Sequence, residues 1–213
     1  MNQKLKLYGS RGAGSAAVEM GLRACALDYD VVRASEWEPD SALDELGRIN
    51  PLKQIPTLVL TDGTVMSESA AILIHLGLEH PRSGLLPADA SQRARVLRGL
   101  VYIPANCYSA ISVIDYPQRW TTATEVEARE QVRQAARHQL HHKWDVFADT
   151  MAGDGEFLTG AAPGALDFLA VVVSRWSGTR AHLEKHRPGF HATLQRIEQQ
   201  PLVAEVVRAH WDV

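Results

Sequence analysis

The sequence predicts an α/β N-terminal domain followed by an all-α C-terminal domain. Three observations carry that prediction. Before residue 81 the apolar pattern runs strand, helix, strand, then strand, hairpin, strand, helix. Beyond residue 90 the apolar periods are helical and no strand signal occurs. Between them, Pro81 to Ala90 (PRSGLLPADA) has the Pro/Gly content of a connector. Domains are therefore expected at 1–81 and 91–213, joined by 82–90.

The elements follow in order. Lys4 to Tyr8 alternates as a strand, and Gly9 to Gly14 is a flexible loop. Ser15 is expected to cap a helix running from Ala16 to about Ala26, with Val18, Leu22 and Cys25 on one face. Tyr29 to Arg33 is a second strand, parallel to the first, because a strand–helix–strand unit of this length closes that way. Pro39 opens a short helix that turns Leu43 and Leu46 inward. Thr57 to Leu60 and Val65-Met66 form a hairpin around Asp62-Gly63, residues that tolerate positive φ. A third helix runs from about Ser69 to Glu79 and stops before Pro81.

In the second half, Ser91 to about Ala110 is helical, with a kink at Pro104. Tyr116 to Trp120 breaks the pattern. Thr124 and Glu127 have capping-box spacing and open a long helix to about Met151, which Gly153-Asp154-Gly155 ends. Gly164 and Asp167 frame a helix from Ala165 to about Trp176, and Pro188 and Pro201 punctuate the rest.

Composition narrows the function. Of 213 residues, 46% are hydrophobic, enough for a packed core. A net charge of −3 offers nucleic acid no general attraction. No apolar run reaches membrane-spanning length, and Met1 to Lys4 leads into a strand, so neither a membrane anchor nor a signal peptide is expected. Two distant cysteines, Cys25 and Cys107, without a CxxC, suit reduced thiols in the cytoplasm. His138, His141 and His142 lack a third ligand at a telling spacing and are read as a solvated helix face, with no metal.

One stretch is chemically pointed: Asn50 to Thr57, then Ser67-Glu68-Ser69. It places a proline-broken backbone beside a sheet edge. It also places a helix start carrying hydroxyls and a carboxylate next to it. Free N–H groups and the macrodipole attract a carboxylate there, and Glu68 suits an ammonium. Together they suit a small zwitterionic peptide.

The order of Leu7-Tyr8, Ser10, Ser15, Ile55-Pro56, Glu68-Ser69, Gly160 and Asp167, with a switch near residue 85, resembles the cytosolic glutathione transferase superfamily over nearly the whole chain. Bacterial beta-like members resemble it most. The resemblance implies a thioredoxin-like first domain, an all-helical second domain, glutathione as co-substrate without metal or organic redox cofactor, a homodimer, and a small electrophile as second substrate. It also implies a cis Ile55-Pro56 bond, with Ile55 pairing its backbone to the cysteinyl unit of glutathione. Glu68 and Ser69 then hold the γ-glutamyl end, with Ser69 also capping the helix and a plain helix cap as the alternative for the pair; Lys53 and Gln54 reach a glutathione carboxylate or polar group, with a solvated loop as their alternative.

The beta-class loop cysteine is replaced by Gly14, and the zeta-class Ser-Ser-Cys pattern is missing. The candidates for activating the thiol are Ser15, then Ser10, then Tyr8, alongside backbone N–H groups near Gly14. A plain cap or packing role is the alternative for each. The electrophile pocket is expected to use Tyr108, Tyr116, Arg119 and Trp120, with Arg11 at its rim; ordinary helix packing is the alternative. Asp167 is read as structural, accepting the backbone N–H of Gly164. The expected function is conjugation of the glutathione thiolate to small, mostly apolar electrophiles. The rivals are glutathione-dependent peroxide or disulfide reduction and a non-enzymatic binding role.

Overall fold

A computed structural model describes residues 4–151 and 155–211. The lead-in at Met1 to Gln3 and most of the Gly153 to Gly155 helix stop lie outside the described residues. Strand β1 (Leu5–Gly9) is followed by helix α1 (Ser15–Ala24), β2 (Tyr29–Arg33), α2 (Leu43–Ile49), β3 (Thr57–Val59), β4 (Val65–Ser67) and α3 (Ser69–Glu79). The four strands form one sheet in the order β2-β1-β3-β4. β1 and β2 are parallel, in register from Leu5↔Tyr29 to Gly9↔Arg33, as the strand–helix–strand reading requires. β3 runs antiparallel to β1, pairing Tyr8 with Thr57, and β4 runs antiparallel to β3.

The centre of β1 is covered on both faces, which is why Leu7 and Tyr8 are both buried. On one face Leu7 and Leu58 pack with Ala16, Ala17 and Met20 of α1 and Ile72, Leu73 and Leu76 of α3. Each fully buried leucine there contributes about 1.5–3 kcal/mol. Gly21 allows α1 and α3 to approach closely, since a Cβ at this position would lie 2.7 Å from Leu73. On the other face Tyr8, Ala34 and Leu46 make a smaller cluster under α2. Helix α2 begins at Leu43, not Pro39, because Asp40 takes a positive φ of 56° and turns the chain first.

The remainder of the described chain is mostly helical: α4 (Ala90–Tyr102), a π-helical segment Ile103–Tyr108, α5 (Ser109–Asp115), α6 (Val126–Met151), α7 (Ala165–Val173), α8 (Thr179–His186), α9 (Pro188–Glu198) and α10 (Pro201–Trp211). Asp89 caps α4, accepting from Gln92 N at 2.8 Å. Pro104, without an N–H, widens the helix instead of merely bending it. Ser109 N bonds Pro104 O, five residues back, and Asn106 Nδ2 satisfies Tyr102 O at 3.2 Å. The Thr124–Glu127 box is not formed. Helix α6 opens at Val126, and the N–H of Thr124 bonds Glu125 Oε2 at 3.1 Å.

Asp167 is fully buried and accepts from Gly164 N at 3.0 Å, Leu158 N at 2.7 Å and Thr159 N at 2.9 Å. That is the structural role expected of it. Gly164 is required for a reason spacing did not reveal: a Cβ there would meet the carbonyls of Leu85 and Gly84 at 2.8 and 2.9 Å. Among the histidines, His138 and His142 are exposed, whereas His141 stacks on His182 at 4.4 Å.

One continuous core runs from Leu5 to Val207 and joins the sheet to the helices. Helix α1 carries much of that junction. Arg23 pairs with Glu205 of α10 at 2.5 Å, and Glu19 with His210 at 2.7 Å. His210 Nδ1 also accepts from Gly12 N at 3.2 Å, and Arg11 Nε donates to Ala209 O at 3.1 Å. The last helix thereby holds the β1–α1 loop in place.

Candidate active site

A cleft of about 500 Å³ lies where the sheet edge meets the helices. One wall is Leu52 to Pro56 and Ser67 to Ser69; the other is Pro104, Tyr108, Ile111, Ser112, Asp115, Tyr116 and Arg119. Asn50 shapes the first wall. Its side chain is buried and donates to Thr57 Oγ1 at 2.9 Å and Gln54 O at 3.2 Å, and its Oδ1 accepts from Leu52 N. These bonds tie the loop to the start of β3. The Ile55-Pro56 bond is cis.

Helix α3 opens onto the same cleft. Its N-cap position is Glu68, not Ser69, and no side chain caps it. The leading N–H groups of such a helix have no intrahelical acceptor and carry the positive end of the dipole. Glu68 has φ 66° and ψ 108°, a conformation costing a non-glycine residue about 1–3 kcal/mol and found mainly where a site demands it. Lys53, also at positive φ, lies along the wall with Nζ 3.5 Å from Asp44.

The thiol-activating candidates are placed elsewhere. Ser15 is the first residue of α1, not its cap, and is fully buried. Its hydroxyl donates to Ser10 O and accepts from Ser10 N, both at 3.2 Å. It pins the loop and turns no proton toward the cleft. Ser10 is buried near the Glu38 carboxylate, its hydroxyl making no hydrogen bond among the described residues. Tyr8 is buried under α2 and donates to Glu45 Oε1 at 2.5 Å; burial, then that bond, pushes its pKa up to about 12.

The electrophile-side candidates divide. Tyr108, Tyr116 and Arg119 line the cleft, and the Arg119 guanidinium stacks 4.1 Å over the Tyr116 ring. Trp120 is exposed and not among the lining residues, and Arg11 is drawn to the end of α10. Tyr108 lies at the end of the π-helical segment, its ring edge-on to Trp176 at 5.4 Å. Burial, with Asp115 and Glu68 adding to it, pushes its pKa up to about 12.

Several lining residues went unread in the sequence. Trp37 and Leu52 stand exposed at the rim, and Ser112 and Asp115 line the helical wall. Burial pushes the Asp115 carboxyl up, with Arg133 drawing it partly back. Spacing from Tyr108 carried a signal for the last two. Positions 104, 108, 111, 112 and 115 share one helical face. Neither cysteine belongs to the cleft. Cys107 is fully buried, its pKa pushed up to about 12 by burial, and burial also raises that of Cys25. Among the described residues no group of three or more His, Cys, Asp or Glu is placed to hold a metal ion. No helix among them is long and apolar enough to cross a membrane.

A mixed sheet with α1 and α3 on one face, a cis-proline at its margin and a helical second half covering the cleft define a thioredoxin-like fold extended by a helical region. Residues 15–78 match the glutathione S-transferase N-terminal domain model. The GST-like protein YncG of Escherichia coli K12 is 34% identical over 96% of this chain and 97% of its own length. A glutathione transferase homologue from Sulfitobacter, solved with bound glutathione, superposes with a TM-score of 0.81 at 24% identity, covering 97% of both chains. The bacterial beta-class glutathione S-transferase of Sphingomonas chungbukensis gives 0.75 at 24% identity over 98% of this chain and all of that one. The chain belongs to the glutathione S-transferase family.

Proposed function

We propose that this protein is a glutathione transferase that conjugates the glutathione thiolate to small, mostly apolar electrophiles. One observation carries the reading: the side-chain-uncapped start of α3, with Glu68 held at φ 66°, opens on the same cleft as Lys53 to Pro56. The γ-glutamyl carboxylate takes the N–H groups and hydroxyl at Ser69, and Glu68 faces the ammonium. Ile55 offers backbone groups to the cysteinyl unit, and Lys53 and Gln54 lie beside the remaining polar end. The bound glutathione of the Sulfitobacter homologue, in the same fold, supports this occupant.

The division of labour follows the proposed domains: 1–81 binds glutathione, 82–90 links, and 91–213 supplies Tyr108, Tyr116 and Arg119 to the electrophile. Chemistry requires the thiol to lose its proton. Lowering a thiol pKa by about two units takes roughly 2.7 kcal/mol of preference for the anion. The sulfur lone pair then forms a C–S bond as the leaving group departs with its electron pair. With Cys107 buried and Cys25 outside the cleft lining, no protein thiol stands ready to form a disulfide with glutathione there. A cytoplasmic homodimer is the assembly this reading expects.

Calorimetry with glutathione and turnover of a chromogenic aryl halide test the proposal. Saturable binding with aryl-halide turnover supports it. Absence of binding at millimolar glutathione overturns it. Faster turnover of organic hydroperoxides than of aryl halides would replace conjugation with reduction.

A further inference from the structure

Three oxygens from the N-terminal half were candidates to meet the thiol, and the structure commits or hides all three. Ser15 is closed on Ser10, the Ser10 hydroxyl is buried and unbonded, and Tyr8 is bonded to Glu45. One side chain from the other wall reaches the place they leave. A Cβ built on Gly14 would lie 2.8 Å from the Tyr108 hydroxyl and 3.6 Å from Pro56 Cδ. The phenol oxygen therefore occupies the volume that a side chain at position 14 would enter. It stands between the cleft and the start of α1, against the proline that borders the Ile55 backbone.

We propose that Tyr108, from the helical region, is the catalytic hydrogen-bond donor to the glutathione sulfur. The inference rests on the glutathione reading above and deepens it. Glutathione paired along Ile55 brings its cysteinyl side chain to the Pro56 margin, where the phenol stands. Tyr108 Oη has no protein hydrogen bond among the described residues, so its proton is available to a ligand. The ring is held by Trp176 and carried on the widened turn that Pro104 imposes. Gly14 is then a spacing requirement, because any larger residue would displace the hydroxyl.

The charges around the phenol settle its direction of donation. Burial keeps it protonated at neutral pH, and Asp115 and Glu68, which face it, add to that effect. It cannot act as a base. The thiol proton leaves to solvent, the thiolate accepts O–H···S⁻ from Tyr108, and sulfur forms the bond to carbon. With an aryl halide the C–halogen bond breaks and halide leaves with the electron pair. Tyr108 keeps its own proton throughout. Lys53 and Arg119 are the cations lining the same cleft, and Glu36 is a third carboxylate there.

The test compares wild type with Tyr108→Phe and Gly14→Ala. The thiol pKa of bound glutathione is read from thiolate ultraviolet absorbance across pH. Affinity is measured separately with S-methylglutathione, which has no thiol proton. Tyr108→Phe is expected to raise the bound thiol pKa by about one unit and lower kcat/KM for an aryl halide about tenfold, with S-methylglutathione affinity held within about twofold. Gly14→Ala moves the hydroxyl while leaving it in the chain, and is expected to shift the thiol pKa in the same direction. A bound thiol pKa unchanged in both variants overturns the role of Tyr108 while leaving the transferase reading standing. Failure of wild type to bind either glutathione or S-methylglutathione overturns both.

Discussion

Helix α1 begins at Ser15 and helix α3 at Ser69, each rising from a loop beside the same sheet. At α1 the serine hydroxyl folds back onto Ser10 and is sealed from solvent, while Gly14 lies under the Tyr108 phenol. At α3 no side chain caps the helix, Glu68 is held in an unfavourable conformation, and both residues face the cleft. The two starts share a residue type and a local position but differ in what lies over them. A serine at a helix start satisfies the loop where the protein closes around it, and stays open to a ligand where the protein leaves space. The difference should separate experimentally into stability at one end and affinity at the other.

The largest effect is expected at α3. Glu68→Ala with Ser69→Ala should weaken glutathione binding about 100-fold, since hydrogen bonds to charged groups are worth about 1.5–3 kcal/mol each. Calorimetry measures this, and an affinity within threefold of wild type would erase the contrast between the two helix starts. Next is Ser15→Ala, which strips partners from the Ser10 backbone and should cost about 1–3 kcal/mol of stability. The melting temperature should drop by about 2–4 °C per kcal/mol in a chain of this size. The thiol pKa of bound glutathione should stay where it was; a rise of about one unit would return Ser15 to the chemistry.

Alkaline pH gives a smaller and broader effect. Folding raises the pKa of Tyr8 and Tyr108 from 10.0 to about 12, so the folded state holds both protons more tightly than the unfolded chain. Their contribution to stability is intact below pH 10 and is lost as pH climbs toward 12. Thermal melts across this range should fall less steeply for the variant carrying Tyr8→Phe and Tyr108→Phe; parallel curves would contradict the assignment. Smallest is Tyr8→Phe alone near neutral pH. Removing its bond to the exposed Glu45 should cost about 0.5–1.5 kcal/mol and leave the bound thiol pKa unmoved, as read by the absorbance titration.

Much of this molecule was legible from residue order. The strand and helix succession came from apolar period, and the bounds of β2 and α3 fell where periodicity and Pro81 put them. The Asp167 lock followed from its spacing to Gly164, because a helix-start carboxylate finds its backbone donor within three residues. The loop from Leu52 to Pro56 and the pair Glu68-Ser69 do share one cleft. What misled was the inference from a hydroxyl near the right place to a hydroxyl facing the right way. Ser15 and Tyr8 each found a partner on the protein side, Ser10 was buried with its hydroxyl unbonded, and Arg11 was taken by the C-terminal helix. Asp115 was overlooked because its meaning depends on the face that Tyr108 defines.

By itself the sequence determined the elements, their order, the proline-distorted loop and the family pattern. These depend on φ/ψ preference, apolar period and spacing, which act over a few residues. Only the tertiary structure decided which oxygen could reach a ligand. Bringing the Tyr108 hydroxyl over Gly14 needs the widened turn after Pro104, the packing of Trp176 and a glycine beneath it. No local rule links those positions. They meet because α1 is shared between the sheet and the helical core, and the direction of a buried hydroxyl is set by whichever neighbour closes over it.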